Sequence, residues 1–241
     1  MNNYIRSTLM AATMALGALG LGLTSASAAT ITSTSATVSG SDVGTSWEVN
    51  YICSAAFPCN GGTPFGTLGA RTTFSLLEYV EDAGMAYWKI DLTIRNTSNL
   101  LAGGFLTAIG FSTDPDAVID SFWDANSVLA DWVVGNGSIP GFGNTEICVY
   151  DGNNCSAAND HVMTPGTQDR VTFWLETDLS DGSSLTFSDF AARWAGNAVT
   201  EGSFDAGGTI KVAPVPLPAA GGLLLLGLGG LALLRRGRKA A

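Results

Sequence analysis

Residues 29–212 predict an all-β fold, an antiparallel β-sandwich with a jelly-roll order among the arrangements it allows, and three features of the sequence carry that prediction. Short runs rich in aromatic and β-branched residues recur along the chain, turn-forming pairs separate them, and the longest run alternates apolar and polar residues with the period of a strand. One apolar and one wet face imply an antiparallel sheet, because parallel strands are covered on both sides.

The first predicted strand, residues 47–53, alternates large and polar side chains, and 72–79 is a second β-rich run. Glu81-Asp82-Ala83-Gly84 then supplies a turn into residues 85–95. Along that strand Trp88, Ile90, Leu92 and Ile94 make an apolar face and Lys89, Asp91, Thr93 and Arg95 a polar one, until Asn96-Thr97-Ser98-Asn99 ends it. Further strands are predicted at 105–112, 146–150, 170–177, 185–190 and 208–212, with turns at Asp114-Pro115, Gly135-Asn136-Gly137, Asp151-Gly152 and Asp181-Gly182. In residues 116–132, Val118, Phe122, Val128, Leu129 and Trp132 fit an amphipathic helix as well as irregular strands.

The flanks of this domain are addresses. Arg6, an uncharged stretch over 9–23 and the small-x-small site Ala26-Ser27-Ala28 make residues 1–28 a removable secretory signal peptide, cleaved after Ala28. At the other end, residues 213–241, Val215-Pro216-Leu217-Pro218-Ala219 precedes an uncharged run, 219–234, and a basic stop of Arg235, Arg236, Arg238 and Lys239. Those 16 residues span as a helix about 24 Å, against a hydrocarbon core of about 30 Å. Eight leucines favour insertion by roughly 3–5 kcal/mol in sum, whereas five glycines loosen the helix. The segment is thus a marginal, transient tether to the inner membrane. Its basic end stays cytoplasmic, everything before Val215 faces outward, and the two prolines hold the motif extended and open to a processing enzyme.

This tail resembles the C-terminal sorting signal of the PEP-CTERM class of bacterial surface proteins, in the variant that reads Val-Pro-Leu-Pro-Ala. The matching residues are Val215 to Ala219 with the leucine-glycine run and basic end behind them, and Leu217 stands where the main class has Glu. The resemblance implies an exosortase, a multi-spanning membrane enzyme that recognises the motif and cleaves the tail. It implies in turn a membrane-tethered intermediate, then a cell-surface or extracellular location, and association with extracellular polysaccharide, biofilm or floc. The phrases at 92–98 and 110–115 also look like sandwich domains of this sorted class.

The 184 residues between the two signals suffice for one domain with a substantial core. They hold six basic residues and all 21 acids, a formal charge of −15, which repels nucleic acid and anionic lipid and attracts divalent cations. In an oxidising compartment the four cysteines read as two disulfides. Of the three connectivities the local one, Cys53 with Cys59 and Cys148 with Cys155, is favoured, because each pair closes a small turn-rich loop worth about 2–2.5 kcal/mol. Zinc is disfavoured: there is no Cys-x-x-Cys, and His161 is the only histidine.

Chemistry is sparse. A nucleophile triad would have to use His161, no Gly-x-Ser-x-Gly elbow surrounds a serine, and no phosphate loop or dinucleotide fingerprint is present. Weak calcium candidates are Asp114 and Asp116, with Asp120 and Asp124 nearby, and Asp151 on its glycine-asparagine turn, neither group having EF-hand spacing. Trp123, Trp132, Trp174 and Trp194 are available to stack on sugar rings. The expectation is therefore a non-catalytic exported surface or extracellular-matrix protein without a cofactor. The alternatives are a carbohydrate-binding module, with calcium or without, and a secreted glycosidase, which needs two carboxylates roughly 5–10 Å apart.

Overall fold

The computed structural model describes residues 29–57, 59–61, 66–99, 104–120, 132–151, 154–155, 163–197 and 200–211. The signal peptide with Ala26 and Ala28, the sorting motif Val215 to Ala219, the hydrophobic run and Arg235, Arg236, Arg238 and Lys239 lie outside them. Twelve strands make up the fold: β1 (Thr30–Ile31), β2 (Ala36–Ser39), β3 (Ser46–Cys53), β4 (Leu68–Asp82), β5 (Met85–Asn96), β6 (Phe105–Asp114), β7 (Val118–Ile119), β8 (Trp132–Asn136), β9 (Ile147–Asp151), β10 (Gln168–Asp178), β11 (Ser184–Asn197) and β12 (Thr200–Lys211). Two short 3₁₀ turns, Gly40–Asp42 and Leu179–Asp181, are the only helical pieces among the described residues.

All pairings are antiparallel, as the alternation predicted. They do not divide into the two separate sheets of a sandwich. One path runs β7-β10-β5-β4-β3-β12-β11-β6-β9-β8, with β2 and β1 added on β11, and its two ends, β7 and β8, approach each other. The result is a nearly closed barrel. The cause is in β12. Its first half pairs with β11 as far as Gly207 opposite Ala191, and its second half pairs with β3 from Gly208 opposite Tyr51. A Cβ on Gly208 would lie 2.6 Å from both Tyr51 Cε1 and Val49 Cγ1, so only glycine lets the backbone cross there.

The core fills the interior from inward-facing residues of every long strand. Trp88, Ile90, Leu92 and Ile94 of β5 are fully buried, as their spacing required, and Lys89, Thr93 and Arg95 face outward. Asp91, also on the outer face, is nonetheless buried beneath Arg170, whose Nε donates to it at 2.5 Å, and Thr172, whose Oγ1 donates at 3.0 Å. Phe74 centres an aromatic cluster, its ring 5.4 Å from Trp47, 5.4 Å from Phe111 and 5.5 Å from Phe190. Each such buried side chain stabilises the fold by about 1.5–3 kcal/mol. Trp88 also satisfies its indole N–H, donating to Thr177 Oγ1 at 3.1 Å.

Within residues 116–132, Val118–Ile119 is strand β7 and Trp132 opens β8, while 121–131 lie outside the described residues. Strands β1 and β2, strand β8, the Ala191–Asn197 half of β11 and the first half of β12 were not predicted as strands, and Gly135 and Asn136, read as part of a turn, end β8.

The turn between β4 and β5 is a two-residue connection, Asp82 pairing with Met85 and both Ala83 (φ 50°) and Gly84 (φ 90°) left-handed. That is the type I′ geometry, which matches the twist of the strands but costs an alanine side chain energy. Ala83→Asn is expected to raise stability by about 0.5–1 kcal/mol, seen as a higher urea midpoint at unchanged slope.

Candidate functional site

A cross-strand row of small residues organises the outer face of one half of the barrel. Gly207 of β12, Ala191 of β11, Gly110 of β6, Cys148 of β9 and Gly135 of β8 stand side by side in register. The trough they leave is filled by the segment between β8 and β9. Ile139 is fully buried in it, with Cδ1 3.0 Å from where a Cβ on Gly110 would be, and the half-buried Phe142 ring lies 3.4 Å from the same point on Gly207. With Ala108, Ala191 and Tyr150 these residues form a second, small apolar cluster outside the sheet. The segment is held by its own bonds: Ile139 N–H donates to Thr145 Oγ1 at 2.8 Å, Thr145 Oγ1 donates to the Phe142 carbonyl at 2.9 Å, and Ser112 Oγ donates to the Asn144 carbonyl.

Both disulfides pin this arrangement. Cys53 is bonded to Cys59 with Cα atoms 5.5 Å apart and Cys148 to Cys155 at 6.1 Å, the local pairing predicted. Beyond Cys59, the Asn60 backbone exchanges two 3.1 Å hydrogen bonds with Asp205 of β12, and Asn60 Nδ2 donates to the Gly141 carbonyl at 3.3 Å. Cys155 Sγ meets Gly137 at the other end of the segment, 2.6 Å from the point a Cβ would occupy. Near Asn60 lies a buried ion pair, Arg193 Nη1 donating to Asp205 Oδ1 at 2.9 Å. Burial pushes the Asp205 carboxyl above the usual carboxylate range, and Arg193 partly offsets the push.

Between this segment and β11 lies an open cleft of about 600 Å³, within the ~300–1,000 Å³ range of small-molecule sites. It opens where β2 and β12, which share one side of β11, part company: β2 pairs with Ser184 to Phe187, β12 with Ala191 to Asn197. The residues between form a bulge in which Asp189 has φ 47°, a conformation uncommon for a side chain other than Asn or Asp. Its lining comes from Ser188, Asp189 and Phe190 of β11, from Phe142, Asn144 and Thr145 of the covering segment and from Thr34 and Ser35, and Gly141, Gly143, Gly207 and Gly208 contribute no side chain. Asp189 is the single carboxylate among the described lining residues, which include no Lys, Arg or His. Chemically the arrangement offers hydroxyls, peptide groups, one anion and two phenylalanines, the half-buried Phe142 and the buried Phe190. It suits a neutral hydroxylated ligand, and it does not by itself supply the facing carboxylates of glycoside hydrolysis.

The other residues singled out in the sequence are dispersed. Asp114 and Asp116 are exposed at and just past the end of β6, whereas the β6–β9 register places Asp151 beyond Tyr150, near the opposite end of β6 and roughly 20 Å away along the strand. Among the described residues no three His, Cys, Asp or Glu side chains gather where a metal ion would sit. Asp124, Gly152, Asn153 and His161 lie outside the described residues. Trp132 and Trp194 belong to the core, being 3% and 1% exposed. Trp174 is half-buried on the outer face, with Lys89 Nζ 5.2 Å from its ring centroid, and Trp123 lies outside the described residues. Asp189, Phe142 and Asn60 were not singled out. The one sequence signal available was the Gly141-Phe142-Gly143-Asn144 phrase, an aromatic between glycines in a connection.

No protein-family model matches the chain, and neither do any curated protein or solved structure.

Removing the first bridge, as Cys53→Ser with Cys59→Ser, is expected to cost about 2 kcal/mol in urea unfolding. Asp205→Ala, which strands the Arg193 charge in the interior, is expected to cost about 3–5 kcal/mol by the same measurement.

Proposed function

We propose that this is a non-catalytic, exported surface or extracellular-matrix protein whose tail is recognised and cut by an exosortase-type enzyme. The observation that carries the reading is the closure of all four cysteines into two local disulfides, in a domain bracketed by an export signal and a proline-marked tail. Disulfides persist where the compartment is oxidising. The charge of −15 on the exported part keeps it soluble at high density and turns away nucleic acid. In this reading the chain is tethered to the inner membrane only while the hydrophobic segment remains attached, and it then passes to the cell surface or beyond, in contact with extracellular polysaccharide. A second reading, a carbohydrate-binding module, draws on the cleft beside Asp189.

Intact-mass analysis of the protein recovered from its own cells should find a molecule that begins at Ala29 and lacks the peptide after the Pro-Leu-Pro motif. A mature molecule that still carries Arg238 would overturn the proposal.

A further inference from the structure

We propose that the cleft beside Asp189 binds an uncharged sugar residue, and does so without a metal ion. Asp189 is exposed at the β11 bulge, and its nearest described hydrogen-bonding neighbour, Ser188 Oγ, is 3.4 Å from Oδ2, so the carboxylate keeps acceptor capacity for a ligand. An ionised carboxylate accepts hydrogen bonds on both oxygens, which fits the adjacent hydroxyls of a pyranose. The Phe142 ring, which lines the same cleft, gives the C–H face of such a ring an apolar partner, and Gly141 and Gly143 beside it leave peptide groups for the remaining hydroxyls.

Charge narrows the class. The described lining carries Asp189 and no cation, so a uronate, sulfate or phosphate group would meet repulsion there, reinforced by the −15 of the exported part. A calcium-bridged sugar would need several oxygen ligands converging on the ion, and one carboxylate is present. A peptide would need an open strand edge or a series of apolar pockets, and beyond Phe142 and Phe190 the described lining has no large apolar side chain. The inference rests on the surface-display reading for where the ligand is met, not for how it is held.

The test uses the full chain, purified in detergent with its disulfides intact, and titrated with soluble glucan, mannan and galactan oligosaccharides and with oligogalacturonate as the charged control. At least one neutral oligosaccharide is expected to bind, with no change in EDTA. Asp189→Gly retains a residue suited to φ 47° and removes the carboxylate, so it is expected to leave the melting temperature unchanged or higher while affinity falls about tenfold or more. Phe142→Leu keeps apolar volume against Gly207 and is expected to weaken binding several-fold with the fold intact. Failure of every neutral oligosaccharide to bind, preference for oligogalacturonate, loss of binding in EDTA, or full affinity in Asp189→Gly would each overturn the proposal. Because binding is read on the unprocessed chain, its failure is distinguishable from a failure of tail cleavage, which is read in cells.

Discussion

The passage of β12 from one half of the barrel to the other is the constraint on which the remaining structure depends. Just where β12 leaves β11 and joins β3, Gly208 lets the backbone pass at a point crowded by Tyr51, Val49 and Phe190. With that crossing in place, the aromatic cluster around Phe74 is enclosed by strands from both halves, Trp47 from β3 and Phe190 from β11 among them. The same departure opens the cleft, since β2 takes one stretch of β11, β12 takes another, and the bulge at Asp189 is left between them. Architecture and site thus share one origin, the crossing of β12 at Gly208.

How much of this was legible in the sequence follows from what each strand packs against. β5 was read almost to the residue, because Trp88, Ile90, Leu92 and Ile94 face the core while their neighbours meet water. Hydrophobic alternation reports that contrast directly. It fails where both faces are covered, and the late half of β11 is such a case. Ala191 lies under Ile139, Ala192 and Trp194 lie in the main core, and Arg193 is buried with Asp205. The row of glycine and alanine that accepts the covering segment looks like loop composition, although it marks a face where another piece of chain lies close. Likewise the cysteine pairing followed from spacing, whereas Asp189 and Phe142 are 47 positions apart and come to line one cleft only through the sheet register and the fold of a connecting segment.

The Arg193–Asp205 pair illustrates a different trade. An apolar pair of similar volume would cost less to bury, so the ions contribute little net stability. What they contribute is register. Arg193 can meet Asp205 only when Ala191 stands opposite Gly207, two residues along, and that alignment places the small-residue row and brings Asn60 onto the backbone of Asp205. A slip of one residue would strand both charges and lift the covering segment off its trough. The two cysteine bridges act on the loops around this register, one anchoring Asn60 and the other Gly137.

The near-closure of the barrel also bears on how such a molecule behaves in a crowd. Sheet ends are templates on which foreign strands add, so a molecule at high concentration is exposed to pairing with its own copies wherever an edge is open. Here the path ends on β7, only two residues long, and on β8, five residues long, and the two face each other; β1, the outlying strand beside β2, is also a two-residue piece. The two ends of the path thus offer foreign strands little ladder on which to add, and the acidic excess of residues 29–212 adds repulsion between copies.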